Sequence, residues 1–189
     1  MKSFILSRTP ELHHGEGALK SIPSVLSPYS GHALLVTGER SFETSTAFTT
    51  VMDELSRRKF LVDHVKIGQE PSPAMIDAVV SGYTAQEAGV VIGLGGGSVL
   101  DAAKALAAMI PVGGSVVNYL EGIGTQTHPG IRLSFIALPT TSGTGSESTR
   151  NAVLSQVGEQ GFKRSLRHLN FVADVAILDP ASPCIARRT

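Results

Sequence analysis

Residues 90–110 read VVIGLGGGSVLDAAKALAAMI. The apolar run Val90–Leu94 breaks at three successive glycines, Gly95, Gly96 and Gly97; Ser98 follows, then an alanine-rich stretch of strong helix formers. The pattern predicts a strand, a tight turn and the start of a helix. A turn without side chains presents several backbone N–H groups to one point, with the positive end of the helix dipole behind them. That combination makes a seat for a phosphate. The same residues also fit a plain strand-to-helix turn, in which Ser98 caps the helix and Asp101 completes a capping-box-like pair. The spacing is not the G-x-G-x-x-G fingerprint. Counted from Gly93 the third glycine position falls on Ser98, and counted from Gly95 it falls on Leu100.

Outward from this turn, apolar runs alternate with helical patterns. His32–Val36, Phe60–Ile67, Leu133–Leu138 and Val175–Leu178 read as further strands. A helix over 41–58 follows from the spacing of Phe42, Phe48, Val51, Met52 and Leu55, and a second over 74–86 from the turn marked by Pro71 and Pro73. Residues 111–130, rich in Gly, Asn, Thr and His, read as a surface loop with one short turn around 119–122. The alternation predicts an α/β fold, a parallel sheet with helices on both faces, whose ligand-binding strand ends share one edge. No internal repeat or linker divides the chain.

Composition narrows the function classes. The chain has 189 residues, 42% of them hydrophobic, enough for one domain with a real core. Lys plus Arg and Asp plus Glu are both 16, and this balance argues against nucleic acid or an anionic membrane as the main partner. Cys184 is the only cysteine, so no internal disulfide can form and a reducing, cytoplasmic setting is expected. The run Phe4–Leu6 is too short for a signal peptide, and no apolar stretch approaches the roughly 18 residues of a membrane span.

A second glycine and hydroxyl cluster, LPTTSGTGSES, occupies 138–148. Pro139 ends the preceding strand, Thr140, Thr141, Ser142, Thr144 and Ser146 offer hydroxyls, and Gly143 and Gly145 allow sharp turns. At the end of a parallel strand such a loop suits ribose, phosphate or amide recognition; it also reads as an ordinary Ser/Thr-rich connection.

Taken together, GLGGGSVLDAAKA and ALPTTSGTGSE closely resemble the iron-containing (group III) alcohol dehydrogenase family. HHGEGALKSI (13–22) looks like the family's opening turn, ALLVTG (33–38) its first core strand, EPSP (70–73) the loop after its second strand, and DVAILDP (174–180) the end of its cofactor domain. The resemblance implies a Rossmann-like, dehydroquinate synthase-like dinucleotide-binding domain over 1–180, binding NAD or NADP. The tail 181–189 departs from the family pattern. By this resemblance Gly96, Gly97 and Ser98 hold the pyrophosphate, with Gly95 also counted as cofactor-binding and Asp101 close by, Thr140, Thr141 and Thr144 line the adenine and ribose part, and Lys163 and Leu178 stand near ribose.

Gly38 bears on cofactor choice. Many family members carry an Asp there, which binds the adenosine ribose and repels a 2′-phosphate. Without it, and with Arg40 nearby, tolerance of NADP is expected, although Glu39 offers a substitute carboxylate.

The resemblance also implies a helical second domain that carries Fe2+ or Zn2+ on an Asp and three His, beyond the segment matched here. The six histidines, His13, His14, His32, His64, His128 and His168, include no i, i+4 pair and read as surface or loop residues. No metal site and no catalytic residue is therefore assigned within these 189 residues, and little dehydrogenase activity is expected of them alone, with self-association or a homodimer through exposed apolar surface. The reaction implied is hydride transfer between a nicotinamide and a small alcohol or aldehyde. Maleylacetate reduction is the alternative within the class, and a non-catalytic nucleotide-binding fragment the alternative outside it.

Overall fold

A computed structural model describes residues 8–39, 45–83, 89–159 and 161–181. Six strands form one wholly parallel sheet: β1 (Glu11–His14), β2 (His32–Gly38), β3 (Leu61–Ile67), β4 (Val90–Gly95), β5 (Ser134–Pro139) and β8 (Val175–Leu178), in the order β1-β8-β5-β4-β2-β3. The expected α/β class and parallel sheet are what the structure has.

Side-chain alternation sorts each central strand between two cores. Leu34, Val36, Val91, Phe135 and Ala137 face α3 (Pro73–Ser81) and α4 (Gly97–Met109). Ala33, Leu35, Ile92, Ile136 and Ile177 face the short α1 (Ile22–Val25) and α2 (Thr46–Arg57). Every residue of β4 is buried, as expected of a parallel strand covered on both faces. Gly93 lets α4 come close, because a Cβ there would stand 2.9 Å from the Ala103 Cβ and 3.2 Å from Leu100 and Phe135. The alanines of α4 complete that contact; eleven of its residues, Val99 to Met109, are buried.

Several boundaries differ from the sequence reading. The helix predicted over 74–86 stops at Ser81, with Gly82 as C-cap; 84–88 lie outside the described residues, as do Arg40 and residues 41–44, with Phe42, at the start of the predicted 41–58 helix. The turn expected around 119–122 is present, closed by the Gly124 N–H on the Leu120 carbonyl at 2.8 Å, and an unpredicted 3-10 helix at Val116–Tyr119 precedes it. β1 and the antiparallel hairpin β6 (Asn151–Gln156) and β7 (Phe162–Arg167) were not predicted. The hairpin's polar sequence hides its pattern. Only Ala152, Leu154 and Leu166 are fully buried, and they pack on the α4 core. No described helix is long and apolar enough to cross a membrane.

His128 lies in an irregular loop segment, as the reading of the histidines as surface or loop residues expects, but it is buried there. It is only 5% exposed, edge-on to Tyr119 and Phe171, with the His168 ring 6.4 Å away. Its Nδ1 accepts from the Gly130 N–H at 3.0 Å, so the single proton sits on Nε2 and is donated to the Ala108 carbonyl at 3.2 Å. Burial pushes its pKa below the ordinary histidine value of 6.5. The unfolded chain therefore binds the proton more readily, and this stabilisation is complete above the ordinary value and lost as pH falls below it. Carboxylates held low, such as Asp174, surrender theirs only below the usual carboxylate range. The urea midpoint is expected to fall between pH about 7 and about 5.5, and to fall less in His128→Gln, because glutamine can both donate and accept there without titrating.

Candidate nucleotide site

The glycine turn lies where the central strand hands over to α4. Gly96 is the N-cap, in extended conformation, and Gly97 is the first helical residue; no side chain caps this helix. This corrects the capping alternative: Ser98 sits inside the helix, and Asp101 accepts instead from the Val153 N–H at 3.1 Å. By contrast α2 and α3 are capped conventionally by Ser45 and Ser72.

The second glycine loop packs directly on the first. The Thr140 N–H donates to the Gly95 carbonyl at 3.0 Å, extending the β4–β5 pairing past the strand ends. A Cβ at Gly97 would lie 3.0 Å from the Thr144 methyl, and one at Gly96 would lie 3.3 Å from the Thr141 hydroxyl. That hydroxyl oxygen is buried and has no hydrogen-bond partner among the described residues. A buried polar atom left unpaired costs free energy, so an orphan beside a bare helix end makes this junction the candidate site.

Two open cavities flank this junction, each of about 220 Å3. One is lined by Gly97, Ser98, Asp101, Thr144, Ser146, Val153 and Lys163, with Glu70 and Pro71 at its wall. The other is lined by Thr140, Thr141 and Leu178 together with His14, Asp179 and Pro180. The structure thus brings together ten of the eleven residues singled out from sequence, with Gly95 and Gly96 between the cavities. Gly38 is the exception. It ends β2, opposite Ile67, and lines neither cavity. Glu39 turns its carboxyl against Gly68, and Arg40 lies outside the described residues.

Lys104 was not singled out, and it organises the site. It is fully buried, and its Nζ donates to the carbonyls of Ser146 (2.7 Å), Thr149 (2.8 Å) and Asn151 (2.9 Å) and to the Thr149 hydroxyl (3.0 Å). An ammonium inside the protein thus gathers the backbone that follows the second glycine loop, as a bound cation would. Asp101, one turn earlier, faces the same region, and burial raises its pKa against the opposing pull of Lys104. Burial pushes the Lys104 ammonium down to about 8. Its folded value lies below the unfolded one, so the proton is a cost to folding, relieved as pH rises from about 8 to about 10.5. A charge kept at such a cost is kept for position. The available signal was a lysine inside an apolar helical run, three residues after an aspartate.

The model of the family described as iron-containing alcohol dehydrogenase matches residues 9–180. This chain belongs to that family. It is 36% identical over 174 residues to long-chain-alcohol dehydrogenase 1 of Geobacillus thermodenitrificans, covering 90% of this chain and 43% of the relative. It is 30% identical over 158 residues to the probable NADH-dependent butanol dehydrogenase 1 of Bacillus subtilis, covering 82% and 40%. Among solved structures, an archaeal halo-thermophilic alcohol dehydrogenase from a Red Sea brine pool superposes with a TM-score of 0.81 at 26% identity, covering 95% of this chain and 47% of that one. The butanol dehydrogenase A of Thermotoga maritima shares the fold, with a TM-score of 0.83 at 23% identity, over 95% and 45% of the two chains. The chain therefore spans less than half the length of the relatives it matches.

Replacing Lys104 tests its role in this family fold. Lys104→Met leaves three buried carbonyls without their donor and Asp101 without its counter-charge, and is expected to destabilise the chain by about 3 kcal/mol in urea unfolding at pH 7.

Proposed function

We propose that this chain binds a nicotinamide dinucleotide, NAD or NADP, across the carboxyl edge of its sheet. In the whole protein it presents that cofactor for hydride transfer to or from a small alcohol or aldehyde. The observation that carries the reading is the uncapped N-terminus of α4, bare at Gly96 and Gly97, with the orphaned Thr141 hydroxyl beside it. A pyrophosphate answers both needs, offering acceptor oxygens to the helix N–H groups and to the hydroxyl.

The residues present fit that group. Gly95 packs on Val99, Gly96 and Gly97 keep the start of α4 free of side chains with Ser98 in its first turn, and the Thr144 side chain stands across from Gly97 with its methyl nearest. Thr140, Thr141 and Leu178 line the cavity we assign to the adenosine end. Lys163 and Asp101 line the cavity on the other side of the turn, which we assign to the nicotinamide ribose. The dinucleotide, when bound, supplies or accepts the hydride; this chain's part is to seat it, orient it and hold the two loops together through Lys104. Among the described residues no three His, Cys, Asp or Glu side chains gather as a metal site. We assign the divalent metal, iron or zinc, and the substrate contacts to the part of the relatives that this chain does not span. The Bacillus subtilis relative is named as NADH-dependent, which supports the cofactor class.

Fluorescence titration with NADH and NADPH tests the reading. Saturable binding is expected, and Gly97→Val, which drives side-chain atoms into Thr144, is expected to weaken it at least about tenfold. Saturable binding untouched by Gly97→Val, or none at all, would sink the proposal. For cofactor choice, position 38 carries no carboxylate and Glu39 lies against Gly68. We therefore read NADP as accepted beside NAD. Gly38 lines neither cavity but ends β2, the strand beside β4, on the same sheet edge, so Gly38→Asp is expected to move the preference towards NADH by about tenfold if the 2′-phosphate extends to that strand end, where a carboxylate repels it.

A further inference from the structure

One charged cluster at the nucleotide site is left over by that reading. Lys163, on β7, donates from Nζ to the Glu70 Oε1 at 2.6 Å. The other carboxylate oxygen, Oε2, accepts from the Ser155 hydroxyl at 2.6 Å. Ser155 and Lys163 are direct cross-strand partners in the β6–β7 hairpin, so both reach Glu70 from one face. The backbone fixes the arrangement as well, since the Ser155 N–H donates to the Pro71 carbonyl at 2.9 Å. Glu70 and Lys163 together wall the cavity that opens on Gly97, Ser98 and Thr144.

The pair does little for the fold. Its side chains are 60% and 54% exposed, and an ion pair in that setting is worth little. Its effect is on the charge of the cavity. Lys163 is the basic side chain lining it, and in the unliganded protein that charge is already engaged. Asp101 faces the same cavity. An anion arriving at the α4 N-terminus therefore competes with Glu70 for Lys163, and a carboxylate that loses the ammonium keeps only Ser155 and solvent, unless the ligand brings donors of its own. A ribose diol next to a phosphate brings them; a bare phosphate or pyrophosphate does not.

We propose that Glu70 is a specificity-determining residue of the nucleotide site, which holds Lys163 against simple anions and releases it to a ligand that pairs a phosphate with ribose hydroxyls. This rests on the nucleotide reading above. Glu70 discriminates by penalising the wrong ligand rather than by adding affinity for the right one. Its carboxyl is held below the usual carboxylate range by Lys163 and then by Ser155, so it is charged throughout the neutral range.

The experiment uses the 189-residue chain, with NADH affinity from fluorescence and the affinity of inorganic pyrophosphate from its displacement of NADH. Glu70→Gln, Lys163→Met and the double variant are compared with the unaltered chain. In Glu70→Gln, pyrophosphate is expected to bind about fivefold tighter, the scale of one unopposed charge near a surface, while NADH gains nothing. In the Lys163→Met background the same substitution is expected to leave the ratio of the two affinities unchanged, because no lysine remains to be held. An unchanged ratio in Glu70→Gln, with NADH still bound, would overturn this inference alone. A shift of the same size in the double variant would do so too, by removing Lys163 from the argument. Failure of the unaltered chain to bind NADH would overturn both this and the nucleotide reading. Glutamine keeps the size of the side chain and its contact with Ser155, so folding is not at stake.

Discussion

The site is built around a lysine that no solvent reaches. Lys104 sits about two helical turns into the core from the bare start of α4, and its ammonium holds the carbonyls of Ser146, Thr149 and Asn151 in one place. Those contacts close the second glycine loop onto the first, because Thr144 and Ser146 then stand within van der Waals reach of Gly97. They also carry the chain into β6, whose Val153 N–H is received by Asp101 on the same helix. One buried charge thus ties together a strand–turn–helix unit, a loop some forty residues later and a hairpin outside the main sheet. Burial opposes the charge, lowering its pKa to about 8, so it is the four hydrogen bonds of the ammonium rather than its charge that secure the loop. The arrangement buries charge so that the loop takes one shape.

The same helix resolves a tension in the turn. A helix that begins without a side-chain cap leaves backbone donors unsatisfied, and α2 and α3 avoid this with serines. In α4 the cap position is Gly96, and the neighbouring Thr141 hydroxyl is likewise without a partner among the described residues. The helix is secured instead by burial of almost its whole length between the sheet and the hairpin. Burial supplies the stability that the missing cap withholds, and so the end stays open for an anion.

The candidate site was largely legible before the fold. The run of three glycines after an apolar strand, and the Thr-Thr-Ser-Gly-Thr-Gly stretch after another, are local patterns whose chemistry depends on backbone freedom and hydroxyl supply. The structure brings both to the same sheet edge, because β4 and β5 are parallel neighbours. Position 38 was legible only as chemistry. Gly38 lines neither cavity, and the side chain of Glu39 is taken up against Gly68, a contact made across two strands. His128 misled for the same reason. Its burial is set by Tyr119, Phe171 and the Ala108 carbonyl, which come from three separate parts of the chain.

What the sequence determined by itself was whatever depends on neighbours a few residues apart: the alternation of strands and helices, the α/β class, the glycine turn and the family. The tertiary structure decided what depends on residues forty to ninety positions apart. It made the polar hairpin β6–β7 a partner of α4, because Ala152, Leu154 and Leu166 have a core to enter only once the helix is in place. It set Lys104 as the internal cation of the loop and placed Glu70 against Lys163. Periodicity cannot report such contacts, since a charged side chain reads alike in sequence whether it meets water, a carboxylate or three carbonyls. Which of these it meets is fixed only when the distant segments pack.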